Sequence, residues 1–327
     1  MRRALPLPHK QVVELCPHAP FNFDATMHKP DHFPSSDNAW IPGIRWQTML
    51  WQGQPLGLKF ENRGTISRPS VPLSIWSEEK LDHAFVAGLI AEIVYRYNLQ
   101  LDLTDFNRRF RDDPQLGPIV RKWRGMRPLS YSSLYEFLII AIVLQNCTVR
   151  RSVNMMQALF EKYGTRLAYD DREFYCFWSP EAIDRATEPE LRGLKVGYRA
   201  RSIKRVTEAF ARKQIDEIEL RNKSVDEQRA AMLGLYGIGP ASVGYILSSV
   251  FHRFDEMNHI SPWEQKIYSK LFFNRNSDKP VATSTLLRLF DKRFAGCRDL
   301  AVHYIWEDLF WKRKHAKIDW LEQLIRL

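Results

Sequence analysis

The chain has 327 residues, a formal net charge of +10 and a pI near 9.4, with 45% hydrophobic residues. That length suggests about two domains, or three small ones, with apolar content enough for real cores. The basic balance favours an anionic partner, with nucleic acid first. Cys16, Cys147, Cys176 and Cys297 are scattered, with no C-x-x-C pair. This argues against a structural zinc, an iron–sulfur cluster or a disulfide scaffold, and fits a reducing compartment. Met1 to Lys10 lacks the apolar run of a signal peptide, and no stretch approaches a membrane span.

Residues 1 to about 75 are rich in Pro, Trp and turn signals, with short strand-like runs at Trp46–Trp51 and Gly57–Phe60. From Ser77 the texture changes. Leu81, Phe85, Leu89, Ile90, Ile93, Val94 and Tyr97 follow helical spacing. A helix is expected over about 132–146, and another from 149 to Tyr163, ending at Gly164. Ser179-Pro180-Glu181 opens a further one. Ser224 and Glu227 form a capping box ahead of a turn, Leu235-Tyr236-Gly237-Ile238-Gly239-Pro240, and a second helix runs to about Val250. Ser261 and Glu264 form another capping box, with Pro262 at N1 of a helix through about Leu271.

The Gly-x-Gly turn reads as the centre of a helix-hairpin-helix. Its glycines allow a tight turn and a close approach of backbone to another molecule. Pro240 suits a first helical position, and the free N–H groups there favour an anion. A DNA phosphate is the natural guest, because such a contact needs no base sequence.

These segments together resemble the helix-hairpin-helix DNA glycosylase superfamily, in its 3-methyladenine DNA glycosylase II and 8-oxoguanine glycosylase branch. Leu144-Gln145-Asn146-Cys147-Thr148, Gly197-Tyr198-Arg199-Ala200-Arg201, the hairpin, and Ile260 to Ile267 occur in the family's order and spacing. The resemblance covers roughly residues 100–315, and more loosely the β-rich part before them. It implies an α+β fold. An N-terminal antiparallel β domain with a linking helix (1–100) would precede an all-helical region in two lobes (101–327), with the hairpin at 224–250 and a cleft between the lobes.

The activity implied is extrusion of a damaged base from duplex DNA and hydrolysis of its glycosidic bond. Gly237, Ile238, Gly239 and Ala241 would hold the backbone. Asn146 falls at a gap-filling position, and Tyr198 and Arg199 at positions that wedge the stack and contact the orphaned base. Lys266 replaces a family Arg and would face phosphate, while Gln145 and Trp263 would line the pocket. No cofactor is required, and a monovalent cation at the hairpin is the one ion allowed for. A monomer is implied, in the cytoplasm at the nucleoid, or in the nucleus of a eukaryote.

Two departures bear on chemistry. The family's catalytic Asp is replaced by Ser261, which keeps the cap but supplies no charge. Three readings stay open: Glu264 takes over, with Ser261 positioning water; Asp255, Glu256 or His259 in the preceding loop does so; or the protein is a catalytically inactive reader of modified DNA. Ala241 stands where bifunctional members carry the Schiff-base Lys, so lyase chemistry by that route is not expected.

Overall fold

In a computed structural model the described residues are 3–28 and 34–324. The strands are β1 (Leu5–Pro6), β2 (His9–Leu15), β3 (Asn38–Ile41), β4 (Ile44–Trp51), β5 (Gln54–Glu61), β6 (Val71–Ser77), β7 (Thr165–Tyr169) and β8 (Arg172–Cys176). Strands β2-β6-β5-β4-β3 form an antiparallel sheet in that order. Gln52 and Gly53, with φ of 48° and 78°, make the two-residue turn between β4 and β5. Positive φ at both positions matches the twist of a tight hairpin.

Strand alternation sends Leu56, Leu58 and Phe60 to one face, where they are fully buried against Val86, Leu89 and Ile93 of the linking helix His83–Arg96. Burying each such side chain contributes on the order of 1.5–3 kcal/mol. The other face is covered from a distant part of the chain. Strands β7 and β8 form a hairpin within the otherwise helical region, and β1 pairs with β7 in parallel. Leu167, Tyr169, Phe174 and Cys176 pack there with Trp46 and Trp76. The Tyr169 hydroxyl donates to the Gln47 carbonyl at 2.8 Å. The helical region therefore also carries this small β element.

Two helical cores correspond to the two expected lobes. One gathers the helices Leu134–Leu144, Val149–Tyr163, Arg199–Ala211, Val225–Leu233 and Pro240–Ser249. The other gathers Thr104–Phe110, Leu116–Lys122, Thr283–Phe294 and Arg298–His315, with Tyr268 from Pro262–Phe273. Helix starts follow the capping chemistry. Glu136 Oε2 accepts the Ser133 N–H at 2.7 Å, and Glu227 Oε2 accepts the Ser224 N–H at 2.9 Å.

A buried ion network joins the linking helix to the first of these lobes. Glu92 accepts from Arg96 at 2.6 Å and from both terminal nitrogens of Arg221 at 2.6 and 2.7 Å; Arg221 also meets Glu217 at 2.5 Å. Burial pushes the Glu92 carboxyl up, but Arg221 and Arg96 more than offset this and hold it below its ordinary value.

Candidate active site

The hairpin turn uses its two glycines differently. Gly237 has φ of +87°, and a Cβ there would lie 2.4 Å from Ser202 Oγ, so packing demands glycine. Gly239, the N-cap of Pro240–Ser249, has φ of −109°, and a Cβ there would meet nothing within 4 Å. No protein atom therefore crowds this side of the backbone. No side chain caps this helix. Among the described residues no acceptor meets the N–H of Gly239 or Ala241. The Ile238 side chain instead sits in the lobe core at 6% exposure, and its N–H is taken by the Leu235 carbonyl at 3.1 Å. Of the hairpin residues singled out above, Ile238 is thus an internal anchor.

The second predicted group gathers beside this turn. The Gln145 side-chain amide donates to the Gly237 carbonyl at 2.8 Å. Asn146 follows in the left-handed region, φ 47°, which Asn tolerates, and it is exposed. Tyr198 is 56% exposed. It follows Gly197, whose φ of 65° and ψ of −137° only glycine adopts readily. Arg199 differs from the expectation of a projecting guanidinium. It is buried, donates to the Gln145 carbonyl and lies 4.7 Å from the Tyr198 ring centroid. It braces the bend from inside.

The third group surrounds the start of Pro262–Phe273. Glu264 is 7% exposed. Its Oε2 accepts from the Ser261 N–H at 2.9 Å and the Ser261 hydroxyl at 2.6 Å. Its Oε1 accepts from the Tyr245 hydroxyl at 2.6 Å and, more weakly, from Tyr268 at 3.5 Å. Burial, then the nearby Glu264 charge, pushes the Tyr268 phenol well above its usual value, so it remains a donor. Trp263 is partly exposed and lies 5.1 Å, centroid to centroid, from Trp306, whose indole N–H donates to Tyr268 at 2.7 Å.

The competing loop groups are engaged elsewhere or turned outward. Asp255 pairs with Arg298 and Glu256 with Arg229, each at 2.8 Å, and His259 is exposed. Lys266 does not join Glu264. It lines a separate pocket of about 270 Å³ with Lys270, Arg275 and Trp320. Tyr245 and Tyr268 were missed from sequence. Tyr268 lies one helical turn beyond Glu264, a spacing that signals contact; Tyr245 had no local signal. Among the described residues, no group of three or more His, Cys, Asp or Glu is placed to hold a metal ion. Nor is any helix there long and apolar enough to cross a membrane.

Residues 139–326, more than half of the chain, match the HhH-GPD superfamily of base excision DNA repair proteins. The chain belongs to this superfamily. A probable N-glycosylase/DNA lyase of Methanothermobacter thermautotrophicus is 24% identical over 204 residues, covering 57% of this chain and 64% of the relative. DNA-3-methyladenine glycosylase of Bacillus subtilis is 22% identical over 179 residues, covering 54% and 56%. The chain thus spans less than two thirds of the length of these curated relatives. The fold is shared with 3-methyladenine DNA-glycosylase from Archaeoglobus fulgidus, with a TM-score of 0.72, 16% identity, and coverage of 91% of this chain and 99% of that one. It is shared also with the 8-oxoguanine glycosylase/lyase of Clostridium acetobutylicum, with a TM-score of 0.67, 14% identity, and coverage of 91% and 97%. Glu264 is a buried carboxylate in the first turn of its helix, with Ser261 at the cap.

Proposed function

We propose that the chain is a monofunctional DNA N-glycosylase that extrudes a modified base from duplex DNA and hydrolyses its glycosidic bond. The observation that carries this reading is the Glu264 carboxylate, sequestered between the hairpin helix and the Ser261 helix and met by Ser261 and Tyr245. The open amides at Gly239 and Ala241 suit a backbone phosphate. Beside them, Asn146 and Tyr198 are exposed and poised to fill the space an extruded nucleotide leaves.

Glu264 supplies the negative charge that an oxocarbenium-like sugar needs, displaced one turn from the cap. The glycosidic electron pair leaves on the base, a water oxygen bonds to C1′, and one water proton passes to Glu264. Tyr245 and Tyr268 reach the carboxylate with their hydroxyls, and Trp306 lies against Tyr268 and Trp263, so the site is lined with aromatic rings. A positively charged, alkylated purine fits such walls, and it leaves as a neutral base without a proton donor. Ala241 offers no amine, so the product is an intact abasic strand.

Single-turnover base release from duplexes carrying alkylated purine, 8-oxoguanine or uracil tests this. The expected result is release from the alkylated duplex, with strand breakage only after alkali. Tight binding with no release from any duplex would favour the inactive reader, for which Ser261 in place of Asp is the motivating observation.

A further inference from the structure

We propose that Tyr245 is a positioning residue for Glu264, fixing the orientation of its carboxylate from the facing lobe. The inference rests on Glu264 being the acid–base group. Three donors hold Glu264 at short distance, and they are not equivalent. Both Ser261 donors come from the same helix start and bind Oε2 at 2.9 and 2.6 Å. They would follow the carboxylate wherever its helix went. Oε1 is held chiefly by the Tyr245 hydroxyl at 2.6 Å, with Tyr268 on its own helix as far as 3.5 Å.

Tyr245 belongs to the second hairpin helix, Pro240–Ser249, whose core is that of the other lobe. Its hydrogen bond therefore ties the phosphate-gripping element to the carboxylate. The Tyr245 residue is nonetheless 49% exposed. Its hydroxyl is engaged while ring surface stays open to a guest. Ala241 lies one turn earlier on the same helix face, and its small side chain leaves room beside that ring. A base stacked on the ring would hold the hydroxyl against Oε1, so occupancy and carboxylate alignment are coupled.

The ionisable groups facing Glu264 are Tyr245 from the hairpin helix and Tyr268 from its own helix; Asp299, at the start of Arg298–His315, acts on both tyrosines. Asp299 could produce an acidic limb of its own, so it enters the test as a control. Tyr245→Phe keeps the ring and removes the hydroxyl. With an alkylated duplex, Tyr245→Phe is expected to slow saturating single-turnover release about tenfold and to raise the acidic limb by about one pH unit. Duplex affinity is expected to stay within about twofold of wild type, since no phosphate contact changes. Introducing Asp299→Asn into both proteins should leave the difference between them in place.

An acidic limb identical in wild type and Tyr245→Phe would overturn the inference, as would a rate loss that vanishes at saturating enzyme. Glu264→Gln separates the two layers. If it releases base at the wild-type rate, the Glu264 reading fails. If it is inactive while Tyr245→Phe matches wild type, only the role of Tyr245 fails.

Discussion

The side-chain amide of Gln145 donates to the Gly237 carbonyl at 2.8 Å, so the bend carrying Asn146 and the hairpin turn form one piece. Arg199 holds the same bend by donating to the Gln145 carbonyl. The hairpin turn and the bend that carries Asn146 are thus set in fixed register. Such preorganisation is what a base-extruding enzyme needs, because misplaced groups lose much of their effect.

The two hairpin glycines should respond oppositely to substitution. Gly237→Ala meets a left-handed backbone and the Ser202 side chain, and should cost about 1–3 kcal/mol of stability in urea unfolding. Gly239→Ser has room and extended backbone, and its hydroxyl can cap the open amides. Thermal unfolding should therefore be unchanged or slightly higher, while duplex affinity in a titration falls about tenfold as the anion site fills.

The Glu92 network should bind the N-terminal domain to the helical region. Glu92→Gln leaves Arg96 and Arg221 buried with less compensation, a loss of about 3 kcal/mol at neutral pH. Because the folded carboxyl is held below its ordinary value of 4.5, its stabilisation is present above that value. It is lost as pH falls through the lower folded value. The difference between wild type and variant in urea titrations should shrink in strong acid.

Asp299 carries the opposite sign. Burial pushes its carboxyl from 3.8 up to about 6, although it accepts the Glu256 N–H at 2.7 Å. The folded state then binds the extra proton, so ionisation across that window destabilises it as pH rises, by about 3 kcal/mol. Asp299→Asn should keep the Glu256 contact and flatten the pH dependence of unfolding between these values.

Much of the site was legible because local rules write it. The Ser261–Glu264 pairing, Pro262 at N1 and the Gly237 turn are short-range chemistry, and the structure has each of them. What escaped was non-local. Strands β7 and β8 carry alternating side chains and an Asp170-Asp171 turn. Their place was decided by β1, from the far end of the chain, and by the sheet face that needed cover. Tyr245 reads from sequence as an ordinary helix residue, and its bond to Glu264 depends on how two lobes meet. Arg199 has the right position for an exposed wedge, yet it turned inward because the Gln145 carbonyl at the bend needed a donor.

The sharpest test compares single-turnover base release by wild type and Glu264→Gln on an alkylated duplex, with duplex affinity measured alongside. A general base of this kind is worth about 10²–10⁴-fold, so the variant should lose that much rate while binding the duplex within about threefold of wild type. Release by Glu264→Gln at the wild-type rate would contradict the assignment of the chemistry to this carboxylate.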